Sequence, residues 1–357
     1  MVRYTKSSGL VLITSLVLLV FIISCTQDEW VKLNDEAIDN LKAHRYAETI
    51  KLSSKALKLV EETEGPESPK VSQSLVLLAQ AYFLQEKYDK AEPFFERYLK
   101  IMLKSPGPNS QDIKQSSLRL AVVYYKLGKK DEMEALFNRL LESAEKVHDP
   151  EHTYMLQTLN YIATFYHSID KYAEAESFFE RYLILALADR DSGHDNEEIA
   201  RNRIMLSIDY YAQGKYEEAE AVLKQALEDG EKLFDPDHES IKVSSRYLLN
   251  LYNEQGRYLE AEPLAGRLLK IAEESSSLDH EVVARARLDL SLLYYKQSKY
   301  IEAETLLKST LKYAETSLGP DHPRVKIILE RMLKLYQKMG KEDKAVEMEE
   351  RLRGQLY

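Results

Sequence analysis

Aromatic, small and basic positions recur along this chain at a fixed interval. A Lys/Arg–Tyr pair with Ala three residues later stands at Tyr88/Ala91, Tyr172/Ala175, Tyr216/Ala219, Tyr258/Ala261 and Tyr300/Ala303. Tyr46 with Thr49, Lys130 with Met133 and Glu342 with Ala345 keep the same register. Successive marks lie 42, 42, 42, 44, 42, 42 and 42 residues apart, and the two extra residues fall in the polar run 189–194. Another Tyr stands six residues before each mark from Tyr82 to Tyr336. A small residue stands nine before most marks (Ala37, Ala79, Ala121, Ala163, Ser207, Ser291), and Phe95, Phe137, Phe179, Leu223 or Leu307 stands seven after. Apolar spacing of three to four residues predicts amphipathic helices. Gly128, Gly214, Gly256 and Gly340, two before the mark, predict left-handed residues closing a helix. Each unit therefore predicts helix, tight turn, helix and polar connector. One such hairpin cannot bury its apolar face, whereas a stack of them can.

Composition narrows the class. The 357 residues are 44% hydrophobic, with only 12 Gly and 10 Pro, which fits a mostly helical chain. A net charge of −10 argues against nucleic acid as a partner, because phosphate contacts need clustered Lys and Arg. The single Cys excludes a disulfide framework and any multi-Cys zinc site. The 24 Tyr fall largely in the repeated columns, so they are expected to be packing residues.

The motif Leu206-Ser207…Tyr210…Gly214-Lys215-Tyr216…Ala219…Leu223 resembles the tetratricopeptide repeat (TPR). The 42-residue period is similar to the longer variant in kinesin light chains, and Leu318-Gly319-Pro320-Asp321-His322-Pro323 matches their connector. The resemblance implies an all-α fold, a right-handed α-solenoid of about eight TPR hairpins spanning residues 30–357. Its units are expected at about 30–71, 72–113, 114–155, 156–199, 200–241, 242–283, 284–325 and 326–357. The role of kinesin light chains in carrying motor cargo does not transfer, because they are cytosolic and this chain begins differently.

Arg3 and Lys6 precede an apolar run, Leu10–Ile23, too short to span a bilayer as a helix. The run ends in Ile22-Ile23-Ser24-Cys25, which resembles a bacterial lipoprotein signal. That resemblance implies a signal peptide over 1–24, lipidation of Cys25 and a short tether over 25–29, with the first helix at Trp30. An uncleaved anchor and ordinary secretion are the other readings of the segment, and all three export the chain. The expected location is a bacterial cell or outer membrane, on the exported side.

Five histidines form another column: His152, His194, His238, His280 and His322. Metal ligands must converge on one ion, whereas residues one repeat apart lie along a line, so the column is read as connector chemistry. The sequence contains no phosphate-binding glycine loop and no nucleophile elbow. No cofactor and no metal are expected, and nothing breaks the repeat to build a reaction centre. In TPR proteins ligands lie in the concave groove, against outward positions of each first helix. Carried over by register, five before the mark, these include Phe83, Tyr125, His167, Tyr211, Asn253 and Tyr295. Asn250 lies eight before, and Asn160 and Arg246 twelve before. Aromatics mixed with Asn and Arg suit a protein or peptide ligand. The expected function is a non-enzymatic, lipid-anchored interaction scaffold of the cell envelope. A periplasmic peptide-holding, chaperone-like receptor and a surface adhesion or host-interaction protein stand as alternatives.

Overall fold

The computed structural model describes residues 28–103, 111–146, 152–188, 196–275 and 279–354. The expected signal peptide, Cys25 with its lipidation, and His194 lie outside the described residues. Helix α1 spans 28–42, so Asp28 and Glu29, expected in the tether, are already helical. The helices that follow are α2 (Tyr46–Glu64), α3 (Val71–Leu84), α4 (Tyr88–Met102), α5 (Gln111–Lys126), α6 (Lys130–Glu145), α7 (Thr153–Ser168), α8 (Tyr172–Ala188), α9 (Asn196–Ala212), α10 (Tyr216–Leu233), α11 (Glu239–Glu254), α12 (Tyr258–Glu274), α13 (His280–Lys296), α14 (Tyr300–Ser317), α15 (Pro323–Met339) and α16 (Glu342–Gly354). There is no strand among the described residues, and no helix among them is long and apolar enough to cross a membrane.

The chain divides into two compact units, 1–165 and 166–357. In the first, α3 packs on α2 and α4, and α5 on α4 and α6. In the second, each helix from α9 to α15 packs on the one before and the one after, and α9 lies against α11 and α13 against α15. Both units are stacks of helix hairpins.

The repeated columns explain this packing. Ala37, Ala79, Ala121 and Ala163 are fully buried, as are Ala91, Ala175, Ala261 and Ala303 three after the mark. Small side chains at these paired positions let the two helices of a hairpin approach closely. Phe95, Phe137, Phe179, Leu223 and Leu307 fill the space between hairpins. Gly230 performs a related task at the α10–α11 contact, where a Cβ would stand 3.0 Å from the Ile241 side chain.

All eight hairpin turns place a left-handed residue two before the mark. Glycine holds it at Gly128, Gly214, Gly256 and Gly340, and His44, Glu86, Asp170 and Ser298 hold it in the other four. Two members of the histidine column cap the helices that follow their connectors. His238 accepts a hydrogen bond from the Ser240 N–H at the start of α11, and His322 does the same for Arg324 at the start of α15.

The tyrosines six before the mark are packing groups with a wet end. Tyr82 stacks on Phe94 and Tyr166 on Phe178. Their hydroxyls reach carboxylates of the preceding second helix: Tyr124 donates to Glu96 and Tyr210 to Glu180, both at 2.6 Å.

Candidate ligand groove

The residues carried over by register occupy three kinds of environment. Three of the aromatics are not free. Phe83, Tyr211 and Tyr295 are half-buried, each set edge-on or tilted against the mark tyrosine of its own repeat: Tyr88, Tyr216 and Tyr300. They brace the turn between the two helices of their hairpin. Tyr211 also donates a hydrogen bond to Glu254 of the next first helix, which pushes its hydroxyl up to about 12. Tyr125 alone of the four is open, at 42% exposure.

The polar members divide as well. His167 stacks edge-on against Tyr172, and its Nδ1 lies 2.5 Å from Oδ1 of Asp209. Asn160 is half-buried, and its carbonyl accepts from the Thr164 hydroxyl. Asn253 is half-buried at the end of α11, where its carbonyl accepts from the Gly256 N–H.

Arg246 and Asn250 come together in one place. Between α11 and α13, floored by the C-terminal half of α12, lies a recess of about 630 Å³. Its floor is Leu268, Ile271 and Ala272, and its walls carry Val243 and Tyr247 from α11 and Val282 from α13. Tyr247 and Val282 are 38% and 44% exposed, so apolar surface faces solvent over an apolar floor. Their helical spacing from Arg246 and Arg285 puts charge and apolar surface side by side.

The charges in the recess are mostly spent internally. Lys242 pairs with Glu239 at 2.8 Å and Arg246 with Asp289 at 2.7 Å. Asp279 caps α13 by accepting from the Glu281 and Val282 N–H groups. Arg285 and Asn250 are exposed, and neither has a hydrogen-bond or ion-pair partner among the described residues. The recess therefore offers an apolar slot with one open guanidinium and one open amide beside it. No group of three or more potential metal-ligating side chains occurs among the described residues.

The register columns did not contain Tyr247, Val282 or Arg285. For Arg285 and Val282 the signal was present: the column twelve before the mark continues nearly two turns toward the helix start, to these residues at fifteen and eighteen before Tyr300. The three columns stopped in the middle of each first helix, whereas the recess opens at its beginning.

The TPR family profile matches residues 31–104, 115–184, 199–274, 248–316 and 282–353. Among solved structures, nearly identical TPR-like repeats of kinesin-light-chain type from Podosopora anserina are 21% identical, covering 59% of this chain and 97% of that one, with a TM-score of 0.49. BtubC from P. vanneervenii is 17% identical, covering 70% and 94%, with a TM-score of 0.48. The apo form of RapI is 12% identical, covering 91% and 97%, with a TM-score of 0.50. At these identities the likeness is one of fold. No curated protein sequence matches the chain.

Proposed function

Because the chain belongs to the tetratricopeptide repeat family, whose fold is generally a non-catalytic scaffold for protein interactions, we propose that it holds a protein or peptide partner in the recess between α11 and α13. The observation that carries this is exposed Tyr247 and Val282 over the floor of Leu268 and Ile271, with Arg285 and Asn250 left open at the edge. A partner would place an apolar side chain in the slot and a carboxylate or backbone carbonyl against the two open donors. Burying an aromatic anchor in this way is where interface energy concentrates.

We further propose that lipid on Cys25 tethers the scaffold to the exported face of a bacterial membrane, where it recruits other envelope proteins. The lipoprotein-like Ile22-Ile23-Ser24-Cys25 supports this. The alternative of a broad peptide holder differs in selectivity.

The test is crosslinked affinity purification from membranes with the full chain and with Y247A/V282A. Both side chains are exposed, so the double variant is expected to keep its helical circular dichroism. It is expected to lose the partner recovered by the parent, with binding at least about tenfold weaker. Equal recovery by both proteins would remove the recess from the function. A peptide array distinguishes one partner from many, and C25A is expected to leave the membrane fraction.

A further inference from the structure

Thirteen residues before the mark and thirteen after it, three of the hairpins carry two aliphatic side chains. These are Leu33 and Leu59 in the first repeat, Leu75 and Ile101 in the second, and Leu159 and Leu185 in the fourth. In the fifth repeat the same two positions are Arg203 and Asp229. Nη1 of Arg203 donates to Oδ2 of Asp229. The Arg203 side chain is 5% exposed and that of Asp229 34%. A buried ion pair is often worth less to a fold than an apolar pair of similar volume. Since other repeats build the hairpin with aliphatic residues at these positions, stability alone does not account for the charges.

The pair lines a recess of about 310 Å³ bounded by the end of α8, the start of α9 and the end of α10. This recess shares no lining residue with the one between α11 and α13. Its apolar lining includes Leu187, Ile199, Leu233 and Phe234, and Leu233 is 52% exposed. Lys232 also borders it, but pairs with Glu228 at 2.7 Å. The ion pair is only partly used. Beyond the bond from Nη1 to Oδ2, neither the Arg203 guanidinium nor the Asp229 carboxylate has a hydrogen-bond partner among the described residues. Open N–H donors therefore stand beside an open carboxylate oxygen, next to apolar surface.

We propose that this recess binds a free apolar α-amino acid. The ligand's carboxylate accepts from the remaining Arg203 N–H groups, its ammonium donates to Oδ1 of Asp229, and its side chain lies against the apolar lining. An α-amino acid carries its two charges on one carbon, which suits a cation and an anion already held side by side. A carboxylate without the amine would set a like charge beside Asp229, and an amine without the carboxylate would do the same to Arg203. A volume of about 310 Å³ stands at the small end of ligand sites, about 300–1,000 Å³, and so suits one amino acid better than a peptide.

The experiment is isothermal titration calorimetry of the full chain with L-leucine and L-phenylalanine, and with 3-phenylpropionate and phenethylamine, which each lack one of the two charged groups. At least one amino acid is expected to bind saturably, and both analogues at least about tenfold more weakly, through loss of a charge-assisted hydrogen bond. R203L/D229L installs the aliphatic pair of the fourth repeat and is expected to abolish binding while keeping its helical circular dichroism. Y247A/V282A, in the other recess, is expected to bind as the parent does. No saturable binding of either amino acid by the parent would overturn the proposal, as would an analogue that binds equally well, whether or not R203L/D229L folds. Binding retained by a folded R203L/D229L, or lost in Y247A/V282A, would overturn it equally.

Discussion

At the scale of single residues, the hairpin turn is the most demanding position in the repeat. Every unit needs one residue in the left-handed region, where an L side chain crowds its own backbone at a cost of roughly 1–2 kcal/mol. Glu86 and Ser298 occupy it with φ of 58° and 61°. No local compensation is evident at Glu86. At Ser298 the hydroxyl accepts only a long hydrogen bond from Tyr300. E86G and S298G are therefore expected to stabilise the fold by about 0.5–1 kcal/mol each, the strain relieved less the extra chain entropy of glycine. Asp170 should gain less, because Asp tolerates this conformation and its carboxylate accepts from the Tyr172 hydroxyl at 2.6 Å. Chemical denaturation of the three single variants checks the order, and a D170G gain equal to that of E86G would contradict it. Four of the eight turns were legible as glycines. The other four were not, since residues such as Glu86 and Ser298 carry no turn signal of their own, and only the period locates them.

At the scale of helices, the second helix of each repeat begins on a basic residue that caps nothing. Lys129, Lys215, Arg257 and Lys299 sit at N-caps without a side-chain bond to the backbone, at the end of the helix where positive charge is least welcome. The reason lies one repeat back. Four residues after six of the eight marks stands a Glu, and Lys129 pairs with Glu92 (2.5 Å), Lys215 with Glu176 (2.6 Å), Arg257 with Glu220, Lys299 with Glu262 (2.7 Å) and Lys341 with Glu304 (2.5 Å). In the first repeat the position is Ile50, and in the last it is Val346, 53% exposed. A second row joins Arg97 to Glu61, Arg267 to Glu231 and Arg351 to Glu315.

Helical spacing alone would pair these acids with Lys four residues on along the same helix. That is true of part of Glu220, which meets Lys224 on its own helix, but the partners that join repeats are 36 to 39 residues away, beyond any local pattern. The Arg257 guanidinium, helped by Lys224 and the Tyr252 hydroxyl, holds the Glu220 carboxyl down at about 2. A depressed carboxylate contributes stability above its unfolded value of 4.5 and loses it as pH falls toward 2. E220Q is thus expected to cost about 1–2 kcal/mol near pH 6, allowing for screening of the part-exposed Arg257. The difference from the parent should shrink below pH 4.5 and vanish near pH 2. Urea titrations at several pH values measure it, and a gap constant with pH would exclude this linkage.

At the scale of the molecule, the fold was legible because a repeat writes the same physical instruction eight times. The ligand recess was legible only in part, because it depends on where one pair of first helices leaves its floor uncovered. Arg246 and Asn250 lay in the expected columns, but Tyr247, Val282 and Arg285 lay just outside them. A stack whose members touch only their neighbours has a stability close to a sum of local terms, so damage should stay local. Leu335 in α15 is fully buried in a cluster with Leu307, Ile328, Met332 and Tyr336. Removing its side chain to Ala creates a cavity worth about 2–5 kcal/mol. In a single cooperative domain that loss would appear at every amide. Here L335A is expected to speed exchange at least about 30-fold in α14–α16, and to leave α9 and α10, several helices away, within about twofold of the parent. Hydrogen exchange resolved by peptide reads both regions in one sample. Uniform acceleration from α9 to α16 would show that the second unit unfolds as one body, and a partner held at α11–α13 would then feel every core substitution in it.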